Sequence, residues 1–269
     1  MLLRISLFAF SILFMLSCSN QETAQKNTAP IKIEKAAAPT VVKNKTDMTT
    51  ITFPSLDGLE VTADLFHVGD DAPVFVLCHQ ARYNRTEHTE TAKALMARGY
   101  NCLATDQRSG GVLHDQENET ANRATKKGLP TGYLDAEPDI IAAVNYMAEK
   151  YQQPVILVGS SYSASLSLKV AKENPNVKAV LSFSPGEYFG KKLALGKTIA
   201  GLDKPTFITS SKGEAKGAKP LADVVAKDKI THFVPTSDGA HGSRVLWSKQ
   251  PFSAEYWAAV NAFLKKHKL

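Results

Sequence analysis

The sequence predicts an α/β fold with a mostly parallel sheet of the eight-stranded type, an N-terminal antiparallel hairpin, and helices on both faces. Three observations lead to this prediction. Short apolar runs alternate with longer segments of helical periodicity, as in chains of strand-helix units. These apolar runs lack internal alternation, which is typical of strands buried on both faces. Near the start, by contrast, two segments alternate apolar and polar residues around a turn.

Each element follows from its local pattern. The hairpin is predicted from residues 49–53 and 59–68, which flank a turn containing Pro54 and Gly58. Buried strands are predicted at the apolar runs 74–78, 102–104, 155–158, 177–183, 206–208 and 230–234. Helices are predicted between and after them, at 87–98, 135–150, 164–173, 221–227 and 254–266. Alternation of this length implies right-handed crossovers and parallel strands.

Two connections depart from the regular spacing. Residues 107–134 are polar and contain a pair of glycines, so we expect an irregular excursion beside the carboxyl ends of the strands. Asp106 and Arg108 stand at its start, and we interpret them as a structural ion pair or hydrogen-bond anchor for it. Residues 187–202 are too few to form a large lid, so we expect an open site.

The N-terminus predicts export. An apolar run at 5–16 follows Arg4 and is too short to span a bilayer, so residues 1–17 are predicted to be a signal peptide. Small residues then lead to Cys18 as in a bacterial lipoprotein signal, which predicts lipidation there and a membrane anchor at the periplasmic or outer-membrane face. A secreted or soluble periplasmic protein is the alternative. Residues 18–47 lack aromatic side chains and predict a flexible tether, followed by one domain over 48–269.

Charge and cysteine content limit the classes of partner and cofactor. The formal net charge of +6 comes from scattered lysines without an aromatic-basic motif, so no nucleic-acid partner is predicted. Cys78 and Cys102 lie on different predicted strands and too far apart along the sheet to form a disulfide, so both are predicted to be free. No phosphate loop, dinucleotide fingerprint or metal-ligand spacing is present, so neither cofactor nor metal is expected. The sequence does not indicate which oligomeric state the protein adopts.

The strongest chemical signal is the segment Gly159-Ser160-Ser161-Tyr162-Ser163, where a buried strand runs directly into a helix. A nucleophile on so sharp a turn needs small residues two positions before and two after it. Gly159 and Ser163 meet this need around Ser161, whereas bulkier residues would crowd Ser160. Taken alone, the segment is also compatible with a turn that merely allows close packing or binds a phosphate.

A serine nucleophile needs a histidine to accept its proton and a carboxylate to orient that histidine. His241 lies in a glycine-flanked loop after the last predicted strand, and it is the predicted base. Glu214 follows the strand predicted at 206–208 and is the predicted acid. Glu187 follows the preceding strand and is the alternative acid, because some hydrolases place the acid one strand earlier.

The oxyanion formed during attack needs two backbone N–H donors. Tyr162, directly after the nucleophile, is predicted to supply the first. The loop after the strand at 74–78 begins His79-Gln80-Ala81, and Ala81 or Gln80 is predicted to supply the second.

These motifs carry a family resemblance. With the turn at 106–111, the segment at 159–163 and the loop at 239–242, the chain from 49 to 269 resembles the α/β-hydrolase superfamily. It is most similar to the small, lidless, dienelactone-hydrolase-like group. The resemblance implies cleavage of esters or related acyl bonds through an acyl-enzyme on Ser161, with a small-molecule acyl substrate and no cofactor. Dienelactone hydrolases carry cysteine as nucleophile, so their substrate is not implied for this serine.

Two other functions stay open. A catalytically silent binding or scaffold lipoprotein could keep the same fold, because fold alone does not establish function. A peptidase or acyltransferase could use the same triad, because the leaving group and the acceptor are not encoded by it. The order of Ser161, an acid and His241 along the chain favours the hydrolase.

Overall fold

The computed structural model describes residues 42–43 and 48–269. The predicted signal peptide, Cys18 and most of the predicted tether lie outside the described residues. Residues 42–43, at the end of the predicted tether, pair with the first strand of the hairpin. No helix within the described ranges is long and apolar enough to cross a membrane.

A single sheet forms the centre of the described part of the chain. Its strands lie in the order β1-β2-β3-β5-β4-β6-β7-β8-β9. Pairing is antiparallel from β1 to β5 and parallel from β5 to β9. The strands of the described residues are β1 Val42–Lys43, β2 Met48–Pro54, β3 Glu60–Phe66, β4 Val74–Cys78, β5 Asn101–Thr105, β6 Val155–Ser160, β7 Val177–Phe183, β8 Thr206–Thr209 and β9 Ile230–Phe233.

Helices cover both faces of this sheet. In β4, Val74 and Val76 join one core cluster while Phe75 and Leu77 join the other, since successive residues of a strand point to opposite faces. The first cluster includes side chains of α3, α4, α5 and α6, and the second includes side chains of α1 and α7. The helices of the described residues are α1 Thr89–Met96, α2 Glu119–Lys126, α3 Glu137–Tyr151, α4 Tyr162–Glu173, α5 Leu195–Thr198, α6 Ala215–Asp223 and α7 Ser253–Lys266.

The fold class predicted from the sequence is confirmed, with two local corrections. The excursion at 107–134 contains a regular helix, α2, whose N-terminus is capped by Asn118 through the Ala121 N–H at 2.8 Å. The helix predicted at 221–227 lies at Ala215–Asp223 instead. Proline disfavours a helix interior, but a buried apolar face stabilises this helix on both sides of Pro220.

The anchor of the excursion uses different partners from those expected. Asp106 accepts from Arg85 Nη1 at 2.8 Å, and Arg108 pairs with Asp139 at 2.6 Å and with Asp57. Asp106 and Arg108 therefore do not pair with each other, but both are buried and anchor the excursion through hydrogen bonds, as the other alternative of the interpretation expected. Each side chain instead joins the excursion to another part of the chain.

The two cysteines of the described residues are free and buried, as predicted. They lie on neighbouring strands but at different heights, since Cys102 aligns with Phe75 and Cys78 aligns with Thr105. Burial raises the pKa of the Cys78 thiol to about 12. Such a thiol stays protonated and unreactive at neutral pH.

Candidate active site

The turn between β6 and α4 consists of one residue, Ser161. Its backbone lies in the left-handed region at φ 59° and ψ −121°, which is strained for a residue with a side chain. A Cβ atom at Gly159 would lie 2.5 Å from Ala164 Cα, so the close approach of the helix requires glycine there. The Ser163 hydroxyl accepts from the Ser160 N–H at 2.9 Å and closes the turn. The small residues around Ser161 therefore have the packing roles that the sequence predicts.

Ser161, His241 and Glu214 form one chain of hydrogen bonds. His241 Nε2 lies 2.7 Å from Ser161 Oγ, and His241 Nδ1 lies 2.5 Å from Glu214 Oε1. Partial burial would raise the pKa of Glu214, but hydrogen bonds from His241 and Ser184 outweigh it and lower that pKa to about 2. The charged carboxylate favours a proton on Nδ1 and leaves Nε2 free to accept the serine proton.

Glu187, the alternative acid, has a different set of partners. Its carboxylate accepts the N–H groups of Leu195 and Gly196, both at 2.8 Å, and so caps the short helix α5. The end of β7 contributes a serine to the site in its place. Ser184 donates to Glu214 Oε2 and accepts the Gly242 N–H, each at 2.9 Å.

The sequence analysis did not single out Ser184. Its position directly after β7 could have indicated a site residue, because β7 lies beside β8, the strand that precedes Glu214. Its backbone has a positive φ of 56°, which no sequence pattern indicated. Its hydroxyl joins the acid to the loop that carries His241. It therefore helps to hold Glu214 and His241 together.

Of the predicted oxyanion donors, Gln80 is excluded. Its N–H donates to Glu87 Oε2 at 2.7 Å, deep in the protein. The Ala81 N–H makes no hydrogen bond in the part of the chain that the structure describes. Tyr162 is the first residue of α4, where backbone N–H groups lack intrahelical partners. Among the three predicted donors, the Ala81 and Tyr162 N–H groups are therefore the ones without a hydrogen bond within the described residues.

The direction of the Ala81 N–H is set by His79. The buried His79 ring donates from Nδ1 to the Gln80 carbonyl at 2.7 Å and accepts the Gln107 N–H at Nε2, 2.9 Å away. Burial lowers the pKa of His79 to about 4, so the ring is neutral at pH 7. In a planar trans peptide the carbonyl and the following N–H point in opposite directions. Holding the Gln80 carbonyl therefore fixes where the Ala81 N–H points.

The model of the dienelactone hydrolase family matches residues 63–212, which is more than half of the chain. The chain belongs to the dienelactone hydrolase family. It is a hydrolase of the α/β-hydrolase fold. No curated protein matches this family member.

Solved structures show the same fold at low identity. An esterase from Pyrococcus furiosus has a TM-score of 0.64 and 19% identity, and the match covers 85% of this chain and 98% of the esterase. A dienelactone hydrolase from Anabaena variabilis has a TM-score of 0.61 and 13% identity, covering 85% of this chain and 98% of the other. Acetyl xylan esterase 1 from Thermoanaerobacterium has a TM-score of 0.62 and 12% identity, and the match covers 86% of this chain and 88% of that esterase.

Two partly exposed tyrosines border the serine of this family member. Tyr188 donates to the Ser184 carbonyl at 2.9 Å. Burial raises the pKa of Tyr188, and the nearby Ser161 hydroxyl opposes that rise. Tyr133 stacks on Tyr162 with the ring centres 4.8 Å apart. The connection after β7, which contains Tyr188, has only two short helical turns, and both tyrosine rings lie at the surface.

Within the described ranges, no group of three His, Cys, Asp or Glu side chains could hold a metal ion.

Proposed function

We propose that this member of the dienelactone hydrolase family is a serine esterase, which cleaves carboxylic esters or closely related acyl bonds through an acyl-enzyme on Ser161. One observation carries the proposal. The continuous hydrogen-bonded chain from Glu214 through His241 to Ser161, with separations of 2.5 and 2.7 Å, is the arrangement that activates a serine hydroxyl.

The reaction follows from this arrangement. Ser161 Oγ attacks the ester carbonyl carbon while His241 Nε2 takes its proton. The Ala81 and Tyr162 N–H groups stabilise the negative charge that develops on the carbonyl oxygen. Collapse of this intermediate breaks the ester bond, and the departing alcohol takes the proton from His241. Water then attacks the acyl group, with His241 again as base, and releases the acid and free Ser161.

The surroundings of Ser161 favour small, partly apolar acyl substrates. Tyr133 and Tyr188 offer aromatic surface beside the nucleophile, and aromatic rings gain most from apolar or aromatic groups. The site is open, so its contacts with substrate are few. A panel of acetate, butyrate and benzoate esters, with the matching thioesters and aminoacyl amides, measures which acyl bond is preferred.

Labelling with a fluorophosphonate probe tests the nucleophile. We expect the wild type to be labelled, and Ser161→Ala to lose both labelling and at least ~10³-fold of kcat. The matched control is Ser167→Ala, which removes a buried hydroxyl of α4, the helix that follows Ser161, and should keep both labelling and kcat. An unlabelled wild type would indicate a silent binding protein, and labelling that persists in Ser161→Ala would show that another residue is the nucleophile.

A further inference from the structure

A buried carboxylate outside the triad, Glu87, lies behind the site. It belongs to the 3-10 turn Arg85–His88 and is 0% exposed. Its Oε2 accepts the Gln80 N–H at 2.7 Å. Its Oε1 accepts the Ser160 hydroxyl at 2.7 Å and the Ser243 hydroxyl at 2.6 Å. We call Glu87 and these three donors the positioning network.

Each donor is a near neighbour of one part of the proposed machinery. Gln80 precedes the oxyanion donor Ala81, and Ser160 precedes the nucleophile. Ser243 follows His241 by two residues. These donors lie in the loop after β4, at the end of β6 and in the loop after β9. One carboxylate thus joins the three segments that carry the oxyanion donor, the nucleophile and the base.

Glu87 has no cationic partner among the ion pairs of the described residues, unlike three other buried acidic side chains. Asp64 and Asp106 pair with Arg85, and Asp139 pairs with Arg108. Burying a carboxylate is costly unless hydrogen bonds replace its hydration. For Glu87 that compensation comes from the donors at the site. If Glu87 only filled space in the core, an apolar side chain of similar volume would pack there equally well.

We propose that Glu87 is a positioning residue that holds the oxyanion loop, the nucleophile turn and the histidine loop in register. The inference rests on the proposed esterase function. Glu87 holds the Gln80 N–H, and His79 holds the Gln80 carbonyl, which belongs to the peptide that carries the Ala81 N–H. Gln80 is therefore held at the peptides on both of its sides. Ser160 donates to Glu87 and accepts the Ser243 N–H at 2.9 Å, which ties the nucleophile turn to the histidine loop.

Substitution of Glu87 by glutamine breaks this arrangement without opening a cavity. A carboxamide has one acceptor oxygen and one NH2 donor. Its NH2 must face either the Gln80 N–H, which is also a donor, or the two serine hydroxyls, which then lose their acceptor. A displacement of ~1 Å costs up to ~10²-fold in rate. We therefore expect Glu87→Gln to lower kcat by ~10- to 100-fold and to leave KM within about twofold, because substrate contacts are unchanged.

The experiment compares Glu87→Gln with Asp64→Asn in the full chain. Asp64 is also a buried carboxylate, and it anchors the same turn by accepting from Arg85 at 3.1 Å. It also accepts from Thr50 of β2 at 2.8 Å. It has no bond to the nucleophile turn or the histidine loop. Asp64→Asn should lower Tm and leave kcat within about twofold. The measurements are kcat and KM for p-nitrophenyl acetate, the rate of fluorophosphonate labelling, and Tm.

Two results would overturn the inference: wild-type kcat in Glu87→Gln, or an equal loss of kcat in both variants. If Glu87→Gln does not fold, Ser243→Ala provides the test, with an expected loss of ~10-fold in kcat at unchanged KM; wild-type kcat there also overturns the inference. Failure of the proposed function has a different signature. In that case the wild type is not labelled at Ser161, whereas failure of the positioning role alone leaves wild-type labelling intact.

Discussion

Replacing Glu214 by glutamine tests the proposed triad at the atom that sets the histidine tautomer. Glu214 Oε1 faces His241 Nδ1, while Oε2 accepts from Ser184 Oγ at 2.9 Å and from the Ser211 N–H at 3.3 Å. A glutamine keeps its carbonyl oxygen toward these two donors and turns its NH2 toward His241. Nδ1 must then be the unprotonated nitrogen, so Nε2 carries the proton and cannot accept one from Ser161.

The wrong tautomer in a catalytic triad costs up to ~10⁴-fold in kcat, or about 5 kcal/mol. For Glu214→Gln we expect a loss of ~10³- to 10⁴-fold in kcat. KM should stay near the wild-type value, because Ser161 and the oxyanion donors are unchanged. The assay is steady-state hydrolysis of p-nitrophenyl acetate, with Tm measured on the same preparations to show that the variant is folded.

Glu187→Gln is the matched control for this prediction. The N–H groups of Leu195 and Gly196 bond to different oxygens of Glu187, so the single glutamine oxygen can accept only one of them and α5 loses part of its cap. Neither group belongs to the chain from Glu214 to Ser161. We expect wild-type kcat from this variant. Near-wild-type turnover by Glu214→Gln, or a greater loss in Glu187→Gln, would refute the tautomer argument and the choice of acid.

Two further predictions concern pH and location. The pKa of Glu214 falls from 4.5 to about 2 on folding, so its contribution to stability is present above pH 4.5 and lost as the pH drops through 2. The decrease in Tm between pH 5 and pH 2 should therefore be smaller in Glu214→Gln than in the wild type. We also propose that Cys18 carries a lipid anchor. Cys18→Ser should then move the protein from the membrane fraction to the soluble fraction with unchanged kcat, and a wild type that is already soluble would contradict this.

The parts of the site that follow from short-range pattern and strand order could be predicted from the sequence. The spacing of small residues around Ser161 is a local steric requirement, so five consecutive residues suffice to select it. His241 and Glu214 follow from the order of the strands, because parallel strands end at the same edge of the sheet. Their proximity in the structure agrees with that reasoning, and their catalytic roles stay predictions.

The supporting residues could not be predicted, because their partners are distant in sequence. Glu87 bonds to Ser160 across 73 residues and to Ser243 across 156. In the sequence it stands at the start of a helical pattern, where a glutamate normally faces water. Gln80 was a possible oxyanion donor for the same reason, since only the tertiary contact with Glu87 shows that its N–H is occupied.

The contrast in burial between the two hydrogen-bonded systems follows from what each must do. The side chains of His241 and Glu214 are 34% and 39% exposed, and the proposed relay needs contact with substrate and water to exchange its proton. Glu87 is 0% exposed, and a low dielectric strengthens hydrogen bonds that never have to break during turnover. Losses in the relay should therefore appear mainly in kcat, with a change in Tm limited to the stability that the charged Glu214 contributes. Losses in the positioning network should lower both, because an unpaired buried group destabilises the fold as well as the geometry.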